Sequence, residues 1–319
     1  MATHRRQHIA DWIRYFADRG HEDVRPLAAG VEGAVYLLGD GRIAKVWSGR
    51  RPVGLGLMRR VYDDIARESA SLPFATPEIL AVEEHEGVLV TYERELRGTP
   101  LRADSAVVSP GREVPARDTD ALLTVLRALS AVPGTEAMRC LTVQGDDRPL
   151  WEGHARFPDA LAALIQRAVR RHGDQLATLV PDFAATVRRT TESLRALPDD
   201  GPVVTVVHGD LVPPNIHVDD TGAPTAVLDF GFFTTAGDPA FEAAVTAAVW
   251  DMYGPYAERH TATLTRLFAE ELHHSPDTLA LYQRVYALTT YDLFSPDGSD
   301  GHFRWCAALL RRGAVTPPR

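Results

Sequence analysis

The sequence predicts an α+β chain in two lobes. A five-stranded antiparallel sheet with one main helix is expected over residues 1–95, and a mainly helical lobe over 96–319. Three observations carry this. Short apolar runs punctuated by glycine and proline fill the first part in the order β-β-β-α-β-β. After a Pro-, Ser- and Gly-rich stretch at 102–116, the apolar period becomes helical. The length of 319 residues suits two cores better than one.

The first lobe begins with an amphipathic helix over 5–19, with Ile9, Trp12, Ile13 and Phe16 on one face. A strand at 24–27 follows, then a turn carrying Gly30 and Gly33, then a second strand ending near Leu38. Gly39-Asp40-Gly41 is a tight-turn signal, and 42–47 alternates as a third strand. Leu57, Met58, Val61, Tyr62 and Ile65 form the stripe of a helix over about 54–70. Thr76-Pro77-Glu78 breaks the chain before two further strands, 79–82 and 88–93. In the second lobe helices are expected at 118–131, 156–172, 177–197, 238–253, 257–273, 277–293 and 301–312. One β interruption divides them: 203–207 runs into His208, and strands at 216–218 and 226–228 flank the turn 219–224. There are no repeats and no low-complexity tracts.

With 45% hydrophobic and 24% charged residues, the chain has the composition of a soluble globular protein. A formal net charge of -9 argues against nucleic acid as a partner. Two cysteines, Cys140 and Cys306, make neither a disulfide framework nor a zinc motif, and a reducing cytoplasm is expected. No apolar run of about 18 residues occurs and the first residues lack a signal-like apolar stretch, so no membrane association is expected. The most unusual count is lysine. Of 34 lysines and arginines only Lys45 is a lysine. Arginine replaces lysine cheaply on a surface, but not where a compact ammonium is needed.

The residues that carry chemistry are concentrated in two short motifs. His208-Gly209-Asp210-Leu211-Val212-Pro213-Pro214-Asn215 places an Asp and an Asn five residues apart in a loop after a strand. That spacing lets one loop offer a carboxylate to a substrate hydroxyl and an amide oxygen to a metal ion, with His208 fixing the loop's start. Leu228-Asp229-Phe230-Gly231 lies 19 residues beyond Asp210, the length of one β-hairpin, which returns Asp229 beside Asn215. Two oxygen ligands from adjacent loops suit Mg²⁺, which takes its other ligands from water and phosphate. The Gly30/Gly33 turn would let backbone approach phosphates, with Lys45 on the next strand as a point charge.

Together these motifs resemble the aminoglycoside phosphotransferase family, a branch of the protein-kinase-like fold that includes choline kinase-like and antibiotic kinases. The family's loop typically reads His-Gly-Asp-Leu-His-Pro-x-Asn; here Val212 replaces the second His and Pro214 a common glycine. Its metal motif is matched by Leu228-Asp229-Phe230, followed by Gly237-Asp238-Pro239-Ala240-Phe241-Glu242. The segment 91–101 looks like the family's hinge between lobes, and the resemblance spans about residues 24–255.

The resemblance implies a kinase that uses ATP or GTP with Mg²⁺ to phosphorylate a hydroxyl of a small molecule. An antibiotic of aminoglycoside, nucleoside or macrolide type is the first expectation. A choline-, homoserine- or sugar-type metabolite is the alternative. A protein kinase is disfavoured because no Ala-Pro-Glu activation segment follows Asp229. A pseudokinase is disfavoured because Lys45, Asp210, Asn215 and Asp229 are all present. Under this resemblance Asp210 accepts or positions the hydroxyl proton, Asn215 and Asp229 hold Mg²⁺, and Lys45 meets the nucleotide phosphates. Backbone groups of Glu93, Arg94, Glu95 and Leu96, in the hinge at 91–96, would bind the purine. Asp238 would cap the helix beginning at Pro239. The family's lysine usually pairs with a Glu on the following helix, and here Asp63, Asp64 and Glu68 are the candidates. Trp250, Tyr253 and Tyr256 are candidates for stacking on the acceptor, and Asp251 and Asp292 for contacting a cationic one. His217, His273 and His274 lack a zinc spacing and are expected on the surface. A monomer or homodimer is expected.

Overall fold

A computed structural model describes residues 11–29, 33–48, 52–68, 72–102, 111–198, 204–295 and 297–312. Ile9 and Gly30 lie outside these residues. The chain is α+β and divides into two compact units, one formed by Met1–Ser69 with Ala75–Arg97, the other by Ala70–Phe74 with Gly98–Arg319.

In the first unit five strands, β1 (Arg25–Ala29), β2 (Gly33–Leu37), β3 (Arg42–Trp47), β4 (Ile79–His85) and β5 (Val88–Arg94), form one antiparallel sheet in the order β1-β2-β3-β5-β4. Period-two alternation on β3 and β5 gives the sheet two faces. Ala44, Val46, Val90 and Tyr92 point to one, where they pack with Trp12, Tyr15 and Phe16 of helix α1 (residues 11–17). Trp47 and Leu89 point to the other and meet Leu55 of helix α2 (Pro52–Arg67). Met58, Val61, Tyr62 and Ile65 of α2 are buried as well. Each such side chain removed from water stabilises the unit by about 1.5–3 kcal/mol. The β4–β5 turn uses left-handed Glu86 and Gly87 (φ 50° and 79°), matching the strands' twist.

The second unit holds α3 (Ala116–Ser130), α4 (Glu136–Arg139), α5 (Phe157–Ala177), α6 (Phe183–Arg195), α7 (Pro239–Val249), α8 (Ala257–Glu271), α9 (Pro276–Thr290) and α10 (Gly301–Arg312). The short α4 was not foreseen. The break expected near residue 172 is a kink at His172 within α5. Helix α7 is its centre. Every residue from Ala240 to Val249 is buried, so the helix is apolar all round apart from Glu242 and Thr246. It packs against α3, α8 and α9.

Five short strands frame the functional loops: β6 (Thr99–Pro100), β7 (Thr205–Val207), β8 (Ile216–Val218), β9 (Pro224–Val227) and β10 (Thr235–Gly237). β7 pairs with β10 and β8 with β9, both antiparallel. The loop from β7 to β8 and the loop from β9 to β10 must therefore run side by side. The sequence indicated β7, β8 and β9; β6 and β10 were not foreseen.

Candidate active site

The two loops are interlocked. Leu228 N donates to Asn215 O at 2.8 Å, and the His208 Nε2–H donates to Leu228 O at 2.7 Å. His208 Nδ1 accepts from Asp210 N at 3.2 Å, which fixes the neutral imidazole with its proton on Nε2. Burial pushes its pKa down to about 4, so this tautomer persists across the neutral range. The ring also lies 4.3 Å from that of Phe230. Gly209 has φ +74°, and a Cβ there would stand 2.5 Å from Phe233 Cβ and 2.7 Å from Phe233 O. Only glycine fits that crossing of the loops.

Asn215 Nδ2 donates to Asp210 O at 2.9 Å and lies 3.5 Å from Asp210 Oδ2. Its amide nitrogen being so engaged, Oδ1 is the group left to act as a ligand. Asp229, on the adjacent loop, sits in the left-handed region (φ 63°), uncommon for a residue with a side chain and often a mark of a functional position. An amide oxygen and a carboxylate are hard donors, too few for an all-protein cage. They fit Mg²⁺ that shares its shell with phosphate oxygens. Of the histidines expected on the surface, His273 is exposed, while His217 and His274 are half-buried.

Two residues bracing this site were not singled out for that role from the sequence. Glu242 is fully buried, and its Oε2 accepts from the backbone amides of both His208 and Gly209, the latter at 3.0 Å. Burial pushes its pKa up to about 7. A lone acid inside an apolar helix was the available signal. Tyr282 donates its hydroxyl to Asp238 Oδ2 at 2.8 Å, while Asp238 Oδ1 caps α7 through Ala240 N at 2.8 Å.

In the first unit Lys45 stands at the middle of β3, opposite Val35 on one side and Thr91 on the other. Its Nζ is 3.4 Å from Glu93 Oε2, and the Glu93 side chain is buried. Trp47 Nε1 donates to Thr91 Oγ1 at 3.0 Å, and that hydroxyl donates to Glu93 Oε1 at 3.0 Å. A relay across one sheet face therefore presents the carboxylate to the lysine. The expected partners of Lys45 are the helix acids Asp63, Asp64 and Glu68; Glu93 is a partner that the sequence did not indicate. Glu93, singled out for its backbone, brings its side chain to Lys45. Asp63 is exposed on α2, Asp64 is paired with Arg67, and Glu68 is exposed.

Two further expectations shift here. The amides of Arg94 and Glu95 are taken by Glu78 O (3.3 Å) and Gly41 O (2.9 Å), so they do not face a base. The Arg94 side chain pairs with Glu78. Gly33 has φ +146°, and a Cβ there would lie 1.9 Å from Val46 O. Its own hairpin requires glycine whatever lies above it.

Three of the five acceptor candidates turn inward. Trp250 is buried, with the Arg102 guanidinium 4.8 Å over its ring. Asp251 is buried and its Oδ2 is 2.7 Å from His260 Nδ1. Asp292 Oδ2 is 3.1 Å from Arg171 Nε. Burial of an ionised carboxylate requires such a partner, and each found one beyond the reach of sequence reading. Tyr253 and Tyr256 remain exposed.

The comparisons with known proteins bear on the fold and the family. No curated protein matches the sequence. Solved structures match in fold. The GDP complex of aminoglycoside 2'-phosphotransferase-IIIa aligns over 96% of this chain and 97% of its own, with TM-score 0.62 at 16% identity. Aminoglycoside phosphotransferase APH(3'')-Id from Streptomyces rimosus aligns over 88% and 98%, with TM-score 0.59 at 18% identity. Macrolide 2'-phosphotransferase MphH from Brachybacterium faecium aligns over 97% and 99%, with TM-score 0.56 at 19% identity. The sequence profile of the phosphotransferase enzyme family matches residues 23–282, well over half the chain, and the protein belongs to that family.

Proposed function

We propose that this protein transfers the γ-phosphoryl group of ATP or GTP to a hydroxyl of a small molecule of antibiotic type. The observation that supports the reading is the interlocking of the two loops: Asn215 bonds Asp210 O, Leu228, next to Asp229, bonds Asn215 O, and Glu242 holds the amides before Asp210. Solved relatives bound to GDP, or to ADP with streptomycin, support nucleotide use and a hydroxylated acceptor.

In the proposed reaction Asp210 orients the acceptor hydroxyl and receives its proton as the bond to phosphorus forms. Phosphoryl transfer needs alignment and charge neutralisation more than covalent catalysis. Lys45, held by Glu93, supplies one fixed positive charge to the phosphates. Asn215 and Asp229 would hold Mg²⁺, which when bound neutralises the phosphate oxygens. His208 and Glu242 keep the loop from relaxing while the acceptor exchanges.

Asp210→Asn tests this. Turnover should fall about 10²–10⁴-fold with nucleotide affinity nearly unchanged. Wild-type turnover in the purified variant would remove Asp210 from the mechanism.

A further inference from the structure

Helices α6 and α8 carry hydroxyl stripes where packed helices usually carry apolar ones. Thr186, Thr190 and Ser193 recur on one face of α6, and Thr261 and Thr265 on one face of α8. Both stripes line a groove of about 910 Å³ that α9 and the end of α10 complete. No residue of the two functional loops and none of the acceptor candidates takes part in it.

The groove gathers cations that the fold itself does not neutralise. Arg189 of α6, Arg266 of α8 and Arg284 of α9 line it, one from each helix, and among the described residues none of the three forms an ion pair. Arg189 and Arg266 are exposed, while Arg284 is half-buried. Burial lowers the pKa of Arg284 from the ordinary arginine value, Asp277 opposes this, and the charge of Arg189 adds to it. A guanidinium partly removed from water beside a second one carries a cost that a bound anion would offset. Hydroxyl donors accompany these charges. Thr190 is 2% exposed, and its hydroxyl has no hydrogen-bond partner among the described residues, although buried hydroxyls normally find one. Thr265 Oγ1 accepts from Gln283 Nε2 at 2.9 Å, which leaves its own proton available to the groove.

The rest of the lining sets the class of ligand. Arg312 and Glu258 pair with each other at 3.6 Å. Three arginines then face two carboxylates, Glu270 and Asp277, a locally positive balance in a chain of net charge -9. Guanidinium forks match the oxygens of a phosphate group two at a time. The carboxylates can only accept, which suits the hydroxyls of the same molecule. Among the described residues no aromatic ring lines the groove, so a nucleobase has nothing to stack on. The volume is that of a site for an organic molecule, well beyond a bare phosphate ion. We infer that this groove binds a small phosphorylated polyol, with its phosphate on Arg189, Arg266, Arg284 and Thr190 and its hydroxyls on Glu270 and Asp277. The site goes beyond the phosphotransferase reading and does not depend on it.

Calorimetry on the full chain tests this with hexose 6-phosphate, glycerol 3-phosphate and inorganic phosphate. At least one of the two esters should bind one per chain, about tenfold or more tightly than inorganic phosphate. Its affinity should fall as salt rises from about 0.05 to 0.3 M. Excess ADP should not displace it. Arg284→Gln should weaken binding about tenfold, and Arg284→Lys, which keeps the charge and loses the fork, by less. Thr190→Val keeps the side chain's shape and should weaken binding about threefold, and it serves as the second variant should Arg284→Gln fold poorly. Nucleotide turnover should be unchanged in all three. Absence of binding by both esters overturns the inference. So does displacement by ADP, or affinity indifferent to both Arg284→Gln and Thr190→Val, either of which places the ligand elsewhere. Inorganic phosphate binding as tightly as the esters overturns the polyol class. None of these outcomes touches the Asp210→Asn test, so the two readings fail separately.

Discussion

Lys45 and Asp210 are held in place in two different ways. Around Asp210, side chains clamp backbone: Glu242 takes the amides of His208 and Gly209, His208 takes Leu228 O, and the Asn215 amide group takes Asp210 O. Around Lys45, side chains hold side chains: Trp47, Thr91 and Glu93 pass hydrogen bonds across neighbouring strands whose backbone is already fixed by the sheet. A clamp on backbone should fail as a unit, because losing one acceptor orphans buried amides and frees the loop. A relay over a sheet should fail by degrees, because the strands stay.

The largest expected effect tests the clamp. Glu242→Ala leaves two buried amides without an acceptor and opens a cavity in α7, a loss of about 2–5 kcal/mol. Denaturant melts should show it in the midpoint, and turnover should collapse with the loop. A folded Glu242→Ala protein with near-normal activity would break the comparison. The relay should yield less. Glu93→Gln removes the anion facing Lys45 but keeps a hydrogen-bonding group beside Thr91. We expect about 1–2 kcal/mol in stability, together with weaker nucleotide binding by calorimetry. Equal losses from the two substitutions would erase the distinction.

How much of this the sequence revealed follows the same division. Local chemistry was legible. The Asp210–Asn215 spacing, the 19-residue return to Asp229, the boundaries of β3 and the Asp-Pro start of α7 each depend on neighbours along the chain. Long-range partners were not. Glu93 joins Lys45 through strand register, Glu242 reaches His208 across 34 residues, and Asp292 finds Arg171 across 121. An acid on a helix reads the same whether it meets water or an arginine from another helix, so Asp251 and Asp292 looked available to an acceptor. Strands β6 and β10 are two and three residues long, too short for a period to show.

A smaller effect sharpens the account of the relay. Trp47→Phe keeps the ring against Leu55 and Leu89 but deletes the Nε1–H that fixes Thr91. The Thr91 hydroxyl still donates to Glu93. The cost should be about 1 kcal/mol, with nucleotide KM changed by only a few-fold. A loss as large as that of Glu93→Gln would mean that the indole, rather than the carboxylate, sets the position of Lys45.

The smallest effect is a pH dependence that belongs to the clamp alone. His208 is a base held neutral by burial, its pKa lowered from the ordinary 6.5 to about 4. Its contribution is present above pH 6.5 and is lost as pH falls from there through about 4. Glu242 has the opposite sign. It is an acid whose pKa burial raises from the ordinary 4.5 to about 7, helped by the nearby charge of Asp210. Between those values the folded state binds the extra proton, so stability falls as pH rises through about 7. Glu242→Gln keeps an oxygen for the two amides and removes the charge. The melting temperatures of wild type and Glu242→Gln should therefore lie closest near pH 5. They should separate by several °C toward pH 8, with the variant the more stable. Parallel curves over that range would mean that the carboxylate keeps its charge in the fold, with the His208 and Gly209 amides offsetting its burial.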